Sequence, residues 1–325
     1  MEDTSNNSDD EVRRKLLKPK VSEEEALSIL IDLYCPSGFD NTNNIKVPRV
    51  QVIQELDSYD DINYLVEING EKALLKIHNG VESEQYIIAS SQSQHDNQSN
   101  KCLKVDETDT PSNGKASDID ESSGGSIIDL QSAIYEHMAD TKYNVTTGKT
   151  IKPITNTSSV DDNMYSGVCI RELSVVSPQQ QHQLVIRLQS WVHGTPLSSI
   201  EYCPIETLLD CGMSLANMCH AFDDLASINP TALAASKRYH AWDGKNLLDA
   251  KPYVSYIDDK DQSNLVTSVL DEFDKIIIKG KVGEKFRCGI IHGDYNDANI
   301  VSSMLLLYSR EVYHYIFYLV YHTLF

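Results

Sequence analysis

The stretch "GIIHGDYNDANIV", residues 289–301, sets two aspartates, two asparagines and a histidine between Ile290, Ile291, Ile300 and Val301. Apolar roots with a polar tip describe a loop anchored at both ends. Asp294 and Asn299 stand five apart, and His292 lies two residues before the aspartate, giving the spacing H-x-D-x-x-x-x-N. That spacing suits phosphoryl transfer. A carboxylate accepts the proton of an attacking hydroxyl, and a neutral amide oxygen holds Mg²⁺ without competing for that proton. Asp297 reads as an acid that stabilises the loop. A plain polar turn between two strands fits the same spacing, so the loop alone does not decide.

Working outward, "ALLKIHN" (73–79) closes an apolar strand with Lys76, the place for a cation that pairs with phosphates. Just before it, "LDSYDDINYLVEI" (56–68) lies where a phosphate-covering loop belongs but has no glycine, so Ser58, Asn63 and backbone N–H groups would form the cradle. Asn69-Gly70 is a hairpin signal between two alternating runs. "VSEEEALSILIDLY" (21–34) predicts a helix with a Ser22/Glu25 capping box and a buried face of Ala26, Ile29, Leu30 and Leu33. "SIIDLQSAIYEHM" predicts another helix, and "QHQLVIRLQSWVHGTPL" a strand running into a connector. After Pro204 the period turns helical, with stripes of Leu208, Cys211, Leu215, Met218, Phe222 and Leu225, then of Leu265, Val269, Phe273 and Ile276. Strands first and helices second predict an α+β protein of two lobes.

The 28 basic residues against 48 acidic ones leave a net charge of −20, which argues against nucleic acid or an anionic membrane as partner. Seven cysteines form no C-x-x-C pair and read as reduced, mostly buried thiols. The first 20 residues have no apolar core of a secretory signal and predict a disordered tail of a cytoplasmic protein. From residue 89 to 126 the composition collapses into Ser, Gln, Asn, Asp and Gly, which predicts a disordered insertion.

Taken in order, "LDSYDDINY", "ALLKIHN", "IIDLQSAIYEHM", "LVIRLQSWVHGTPL", "LLDCGMSLANMCHAF", "RYHAWDGKNL" and "IIHGDYNDANIV" resemble the aminoglycoside phosphotransferase-type small-molecule kinases, most closely the hydroxylysine kinases among them. The resemblance covers most of residues 22–301, and "SYDD" and "HGDYNDANI" are its most specific parts. It implies a protein-kinase-like bilobal fold: an N-lobe over 21–190 with antiparallel sheet and helix, and a partial helical C-lobe over 191–301. It implies transfer of the γ-phosphate of GTP (or ATP) to the hydroxyl of 5-hydroxy-L-lysine, with choline, homoserine or an aminoglycoside as other acceptors of this kinase type. Asp294 would be the catalytic base and Asn299 a Mg²⁺ ligand. Lys76 would bind the nucleotide phosphates, and Leu188 to Trp191 would form the hinge beside the purine. The partner of Lys76 would come from the helix after the insertion, with Asp129 the natural acid and Gln131 the alternative register. Asp243, after Trp242, would meet a substrate ammonium, or else cap a helix.

The chain departs from the family after Val301. Residues 302–325 hold no aspartate, so the D-F-G-like carboxylate that bridges metal and phosphates has no counterpart there, and Glu311 is the sole acid. The apolar run after Glu311 is 14 residues, short of the ~20 that span a bilayer. This tail reads as unrelated sequence after a truncation. The expected consequences are a C-lobe with bare faces around Leu215, Met218 and Phe273, and a product that could be non-catalytic.

Overall fold

The computed structural model describes residues 12–35, 49–99, 125–154, 167–176, 181–237, 243–286, 289–302 and 315–317. The strands β1 (Val50–Leu56), β2 (Ile62–Ile68), β3 (Glu71–Ile77) and β7 (Gln181–Ser190) pair antiparallel in that order, and both β5 (Thr150–Ile151) and β6 (Val168–Ser174) add to β7. Asn69 (φ 56°) and Gly70 (φ 90°) make the tight link between β2 and β3. Both sit at positive φ, as a primed hairpin turn requires and as asparagine and glycine tolerate.

Register decides which side chains meet. Across β2, β3 and β7 one row runs Asn63, Lys76, Arg187, and the next runs Leu65, Leu74, Gln189, with Thr150 of β5 opposite Gln189. These rows share a face, because directly paired residues of antiparallel strands point the same way. The opposite face carries Tyr64, Val66, Ala73, Leu75, Ile77, Ile186 and Leu188, and packs on helix α1 (Glu23–Tyr34). The capping box of Ser22 and Glu25 starts α1, and Ala26, Ile29, Leu30 and Leu33 are its buried face, as expected.

Helix α2 (Gly80–Ser99) follows β3, and α3 (Ile127–Met138) lies in a second core with α4 (Ile205–Ile228) and α5 (Pro230–Ser236). Val168 and Val185 join that core from the sheet, and Ile290 and Ile300 join it from the two roots of the 289–301 loop. Ile290, Ile300 and Val301 are therefore buried, as their apolar character required, whereas Ile291 is exposed. A small sheet of order β4 (Thr146–Thr147), β10 (Tyr315–Phe317), β9 (Ile300–Ser302), β8 (Thr195–Pro196) holds the far root. Gly194 (φ 154°) makes this approach possible, since a Cβ there would lie 2.5 Å from Val301 Cγ1 and 2.6 Å from the Ser302 carbonyl. The chain is thus a mixed α+β fold built on an antiparallel sheet. No helix among the described residues is long and apolar enough to cross a membrane.

Several expectations are corrected. Residues 12–20 are not a loose tail. A helical turn spans 12–16, Leu17 is buried, and Pro19 bridges to Val175. Helix α2 runs to Ser99, past the point where composition predicted disorder, while 100–124 lie outside the described residues. On α4, Leu208 is 52% exposed, whereas Cys211, Met218, Phe222 and Leu225 are buried. Met218 is therefore packed rather than bare. The stripe on α6 (Lys260–Phe273) and the π-type turn after it is largely outside the core. Leu265, Val269 and Ile276 are exposed, and Leu270 is the buried residue of α6. Within the tail, Tyr315–Phe317 forms the middle of the small sheet, pairing with both β9 and β4, which leaves the reading of the tail as unrelated sequence untouched. Cys35, Cys169, Cys203, Cys211 and Cys219 are free thiols; Cys102 and Cys288 lie outside the described residues.

Candidate active site

The polar tip of the 289–301 loop is a closed network of amides around one carboxylate. Asn299 Nδ2 donates to Asp294 Oδ2 at 2.8 Å and to the Asp294 carbonyl at 2.9 Å, and Asn296 Nδ2 donates to Asp294 Oδ1 at 2.7 Å. The amide nitrogen of Asn299 is thus spent on the aspartate, which turns its Oδ1 away as a neutral donor atom. The loop thus brings together the two residues expected to be the base and the metal ligand, Asp294 and Asn299. Asn296, not Asp297, stabilises the loop. Its Oδ1 accepts the N–H groups of Ala298 and Asn299 and caps the short turn Asp297–Asn299, while Asp297 is exposed. His292 is buried, and its Nδ1 accepts the Asp294 N–H at 3.3 Å. Tyr295 OH donates to the Cys211 carbonyl at 2.6 Å and ties the loop to α4.

A second group of polar residues stands on the sheet face that carries Lys76. Lys76 Nζ lies 2.5 Å from Asp61 Oδ2, in the turn between β1 and β2. Burial alone would lower the Lys76 ammonium, but Asp61, and behind it Glu82, outweigh that and hold it above its ordinary value. Asp129 does not fill this role. It sits at the third position of α3 and its Oδ2 accepts from the Ser126 backbone at 3.1 Å and hydroxyl at 2.7 Å, closing a capping box. Burial pushes its carboxyl up. Gln131, the alternative, accepts from Arg187 Nη1 at 3.3 Å.

Other predicted residues divide. Ser58 offers its carbonyl to Lys18 Nζ at 3.2 Å, so its backbone faces the N-terminal segment. Asn63 stands beside Lys76 on the same face, and its Oδ1 is buried without a hydrogen-bond partner. Leu188 is fully buried on the opposite face, against α1, so its side chain cannot line a site beside Lys76. Trp191 follows β7 and donates its N–H to the Lys72 carbonyl at 3.1 Å. Trp242 lies outside the described residues. Asp243 is buried and spent locally, with Oδ1 accepting the Lys245 N–H at 2.9 Å and Oδ2 3.2 Å from Lys245 Nζ. It acts as a helix cap.

Thr150 was missed, and Gln189 was expected only as part of the hinge from Leu188 to Trp191. Gln189 is buried with Nε2 unpartnered, and Thr150 Oγ1, directly across from it, is also buried and unpartnered. A buried amide or hydroxyl without a partner costs about 1–3 kcal/mol. Three such atoms on one face (with Asn63 Oδ1) mark a surface that a polar ligand would complete. A polar residue in the strand run "LVIRLQS" was the available signal for Gln189. Two surface hollows lie elsewhere, one lined by Glu84, Ile88 and His182 and one by Tyr34, Lys72 and Ile151, and neither includes Lys76 or Asp294.

Asp61, His78 and Glu82 each offer a possible metal-ligating atom within 4.8 Å of the others. The two carboxylates are already engaged, whereas the His78 ring nitrogens are buried without a hydrogen-bond partner. Asp61 takes Lys76 and the Asn79 N–H, and Glu82 takes the Arg14 guanidinium. A divalent cation there would face two positive side chains.

No protein-family model matches the chain, and no curated protein matches it. Among solved structures, the spectinomycin phosphotransferase APH(9)-Ia in complex with ADP and spectinomycin is similar over 92% of this chain and 68% of that one, with TM-score 0.39 and 12% identity. A likeness that distant carries no functional weight by itself.

Proposed function

We propose that the chain is a small-molecule kinase that moves the γ-phosphoryl group of a purine nucleoside triphosphate to the hydroxyl of a small acceptor. The supporting observation is the Asp294–Asn299 pair, in which one amide both fixes the carboxylate and presents its oxygen outward. The family resemblance of "SYDD" and "HGDYNDANI" adds the finer reading, in which GTP is the donor and 5-hydroxy-L-lysine the acceptor. Choline, homoserine and aminoglycosides are the acceptors to test beside it.

In this mechanism Asp294 orients the acceptor hydroxyl and takes its proton as the oxygen attacks in line. Asn296 and Asn299 keep both carboxylate oxygens in a fixed plane, so no reorganisation is needed at the moment of transfer. Lys76 lies across the sheet face as the cation for the phosphates, with Asn63 beside it. Leu65 and Leu74, both buried, form an apolar floor, and Gln189 and Thr150 supply the polar edge for a base. The outward oxygen of Asn299 suits Mg²⁺, which would arrive with the nucleotide and neutralise charge on the phosphates.

The test is ADP or GDP release from the purified chain with Mg²⁺, ATP or GTP, and the four acceptors in turn. Asp294→Ala should lower turnover by ~10²–10⁴-fold with nucleotide affinity little changed. Turnover that survives the substitution would show that Asp294 is not the base. A chain that binds neither nucleotide would overturn the kinase reading altogether.

A further inference from the structure

The turn between β1 and β2 is more heavily charged and more firmly held than a phosphate-covering loop needs to be. Asp60, Asp61 and Glu82 crowd around Lys76, His78 and Arg14. Arg14, on the helical turn 12–16, pairs with both Asp60 and Glu82. Asn79 ties the same place together, its N–H donating to Asp61 Oδ1 at 2.8 Å and its Nδ2 to the carbonyls of Arg14 (2.8 Å) and Asp60 (3.1 Å). Lys18 Nζ caps the carbonyls of Ser58 and Tyr59 at 3.2 and 3.1 Å. Asp61 is 7% exposed and Asn79 fully buried, so the carboxylate has no freedom to swing away.

We propose that Asp61 is the positioning residue for Lys76, and that it does from the β1–β2 turn what an acid on helix α3 was expected to do. This rests on the kinase reading for what Lys76 is positioned toward. Held by two hydrogen-bonding partners at once, the carboxylate fixes where the ammonium points. Because Lys76 is one-fifth exposed, one side of it remains open to an incoming anion. A phosphate arriving there meets a lysine already extended across the sheet face, its rotamer freedom spent in folding rather than in binding. Asp61 touches no phosphate in this scheme. It acts through Lys76.

The test compares Asp61→Asn, Asp61→Glu and Asp129→Asn. The asparagine keeps an acceptor for the Asn79 N–H, so the turn retains that bond while losing the charge. Lys76 reactivity toward an amine-acylating reagent near pH 8, read by mass spectrometry, follows the fraction of free amine. With Asp61 neutral that fraction, and the labelling rate with it, should rise roughly tenfold, and Asp61→Glu should restore slow labelling. Asp129→Asn should label as the parent does. In turnover, Asp61→Asn should raise KM for the nucleotide about tenfold or more with a smaller change in kcat, since ground-state placement of the phosphates is lost. Equal labelling in Asp61→Asn and the parent, or fast labelling in Asp129→Asn instead, would overturn the proposal. Failure of Mg-ATP and Mg-GTP to protect Lys76 in the parent would instead count against the kinase reading, while the labelling contrast would still decide which acid positions the lysine.

Discussion

Asp60 carries a pH dependence that follows from its surroundings. Burial, then the neighbouring charges of Asp61 and Glu82, push its carboxyl up to about 6 from 3.8, against the pull of Arg14. Its folded value exceeds its unfolded one, so between about pH 4 and 6 the native chain keeps a proton that the unfolded chain has released. By linkage, the Asp60 contribution to stability is greatest below that window and falls as pH rises through it, by roughly 3 kcal/mol for a shift of about two units. Asp60→Asn removes the titration. The melting temperature of this variant relative to the parent should therefore climb between pH 4 and 6 and level off above about 7. A difference that stays flat with pH would show that the carboxyl is not displaced. At the nucleotide edge, Gln189→Leu should change the ratio of ATP to GTP turnover while leaving acceptor KM alone; an unchanged ratio would take Gln189 out of the base site. The contact between Asp294 and Asn299 was legible in the sequence because a five-residue spacing inside one loop brings them together. The Lys76 partner was not, because Asp61 and Asp129 are both acids at plausible places and only the fold shows that one of them is spent as a helix cap.

Arg187 joins two elements. It lies on β7 opposite Lys76 and is 1% exposed, with Nη2 donating to the Ile128 carbonyl at 2.9 Å and Ser132 Oγ at 2.8 Å, and Nη1 to Gln131 Oε1 at 3.3 Å. Its guanidinium also lies over the Tyr135 ring at 5.9 Å. All four partners sit on α3, so this side chain fixes the helix against the sheet. Arg187→Ala would take the donor from Gln131 Oε1 and Ser132 Oγ, while the Ile128 carbonyl keeps the Ser132 hydroxyl, and would leave a cavity beside Tyr135, a loss of about 3–5 kcal/mol. Chemical denaturation should show the midpoint falling by that measure, with hydrogen exchange quickening first in α3; protection of α3 equal to the parent would refute the anchoring role. The helices themselves were legible: Ser22 heads a capping box that the sequence displays within four residues, and the run from Ser126 was expected as a helix. What joins helix to strand was hidden, since Arg187 and Ser132 stand 55 positions apart and no local pattern links them. The N-terminal segment was misjudged for the same reason. Its composition is that of a tail, and its order comes from Arg14 and Lys18 reaching residues some forty positions away or more.

Among the described residues of the whole molecule, the helices after Pro204 are less completely covered than the sheet. The sheet is faced by α1 on one side and by α3 on the other, whereas one face of α4 presents Ile205, Leu208, Leu209 and Met213, each more than half exposed. Their spacing keeps them on a single stripe, and Leu265 and Val269 of α6 form another. The periodicity in the sequence announced an apolar stripe on each helix, on α4 the one from Leu208 to Leu225. It could not say that only part of the α4 stripe meets the core, because burial depends on which elements arrive opposite. Contiguous exposed apolar surface of this kind drives association in water, at ~25 cal/mol for each Å² removed. The purified chain should therefore self-associate with rising concentration, seen by static light scattering. Leu209→Lys combined with Met213→Lys should suppress that association while moving the melting temperature only slightly, since surface changes away from the core usually fall within about 0.5 kcal/mol. The core residues Met218 and Phe222 lie on the other side of the same helix, so Phe222→Ala is the contrasting variant: it should lower stability by about 3–5 kcal/mol without relieving association. If the double lysine variant instead unfolds, or scatters as strongly as the parent, the stripe is covered within the folded chain and the two faces of α4 have been assigned the wrong way round.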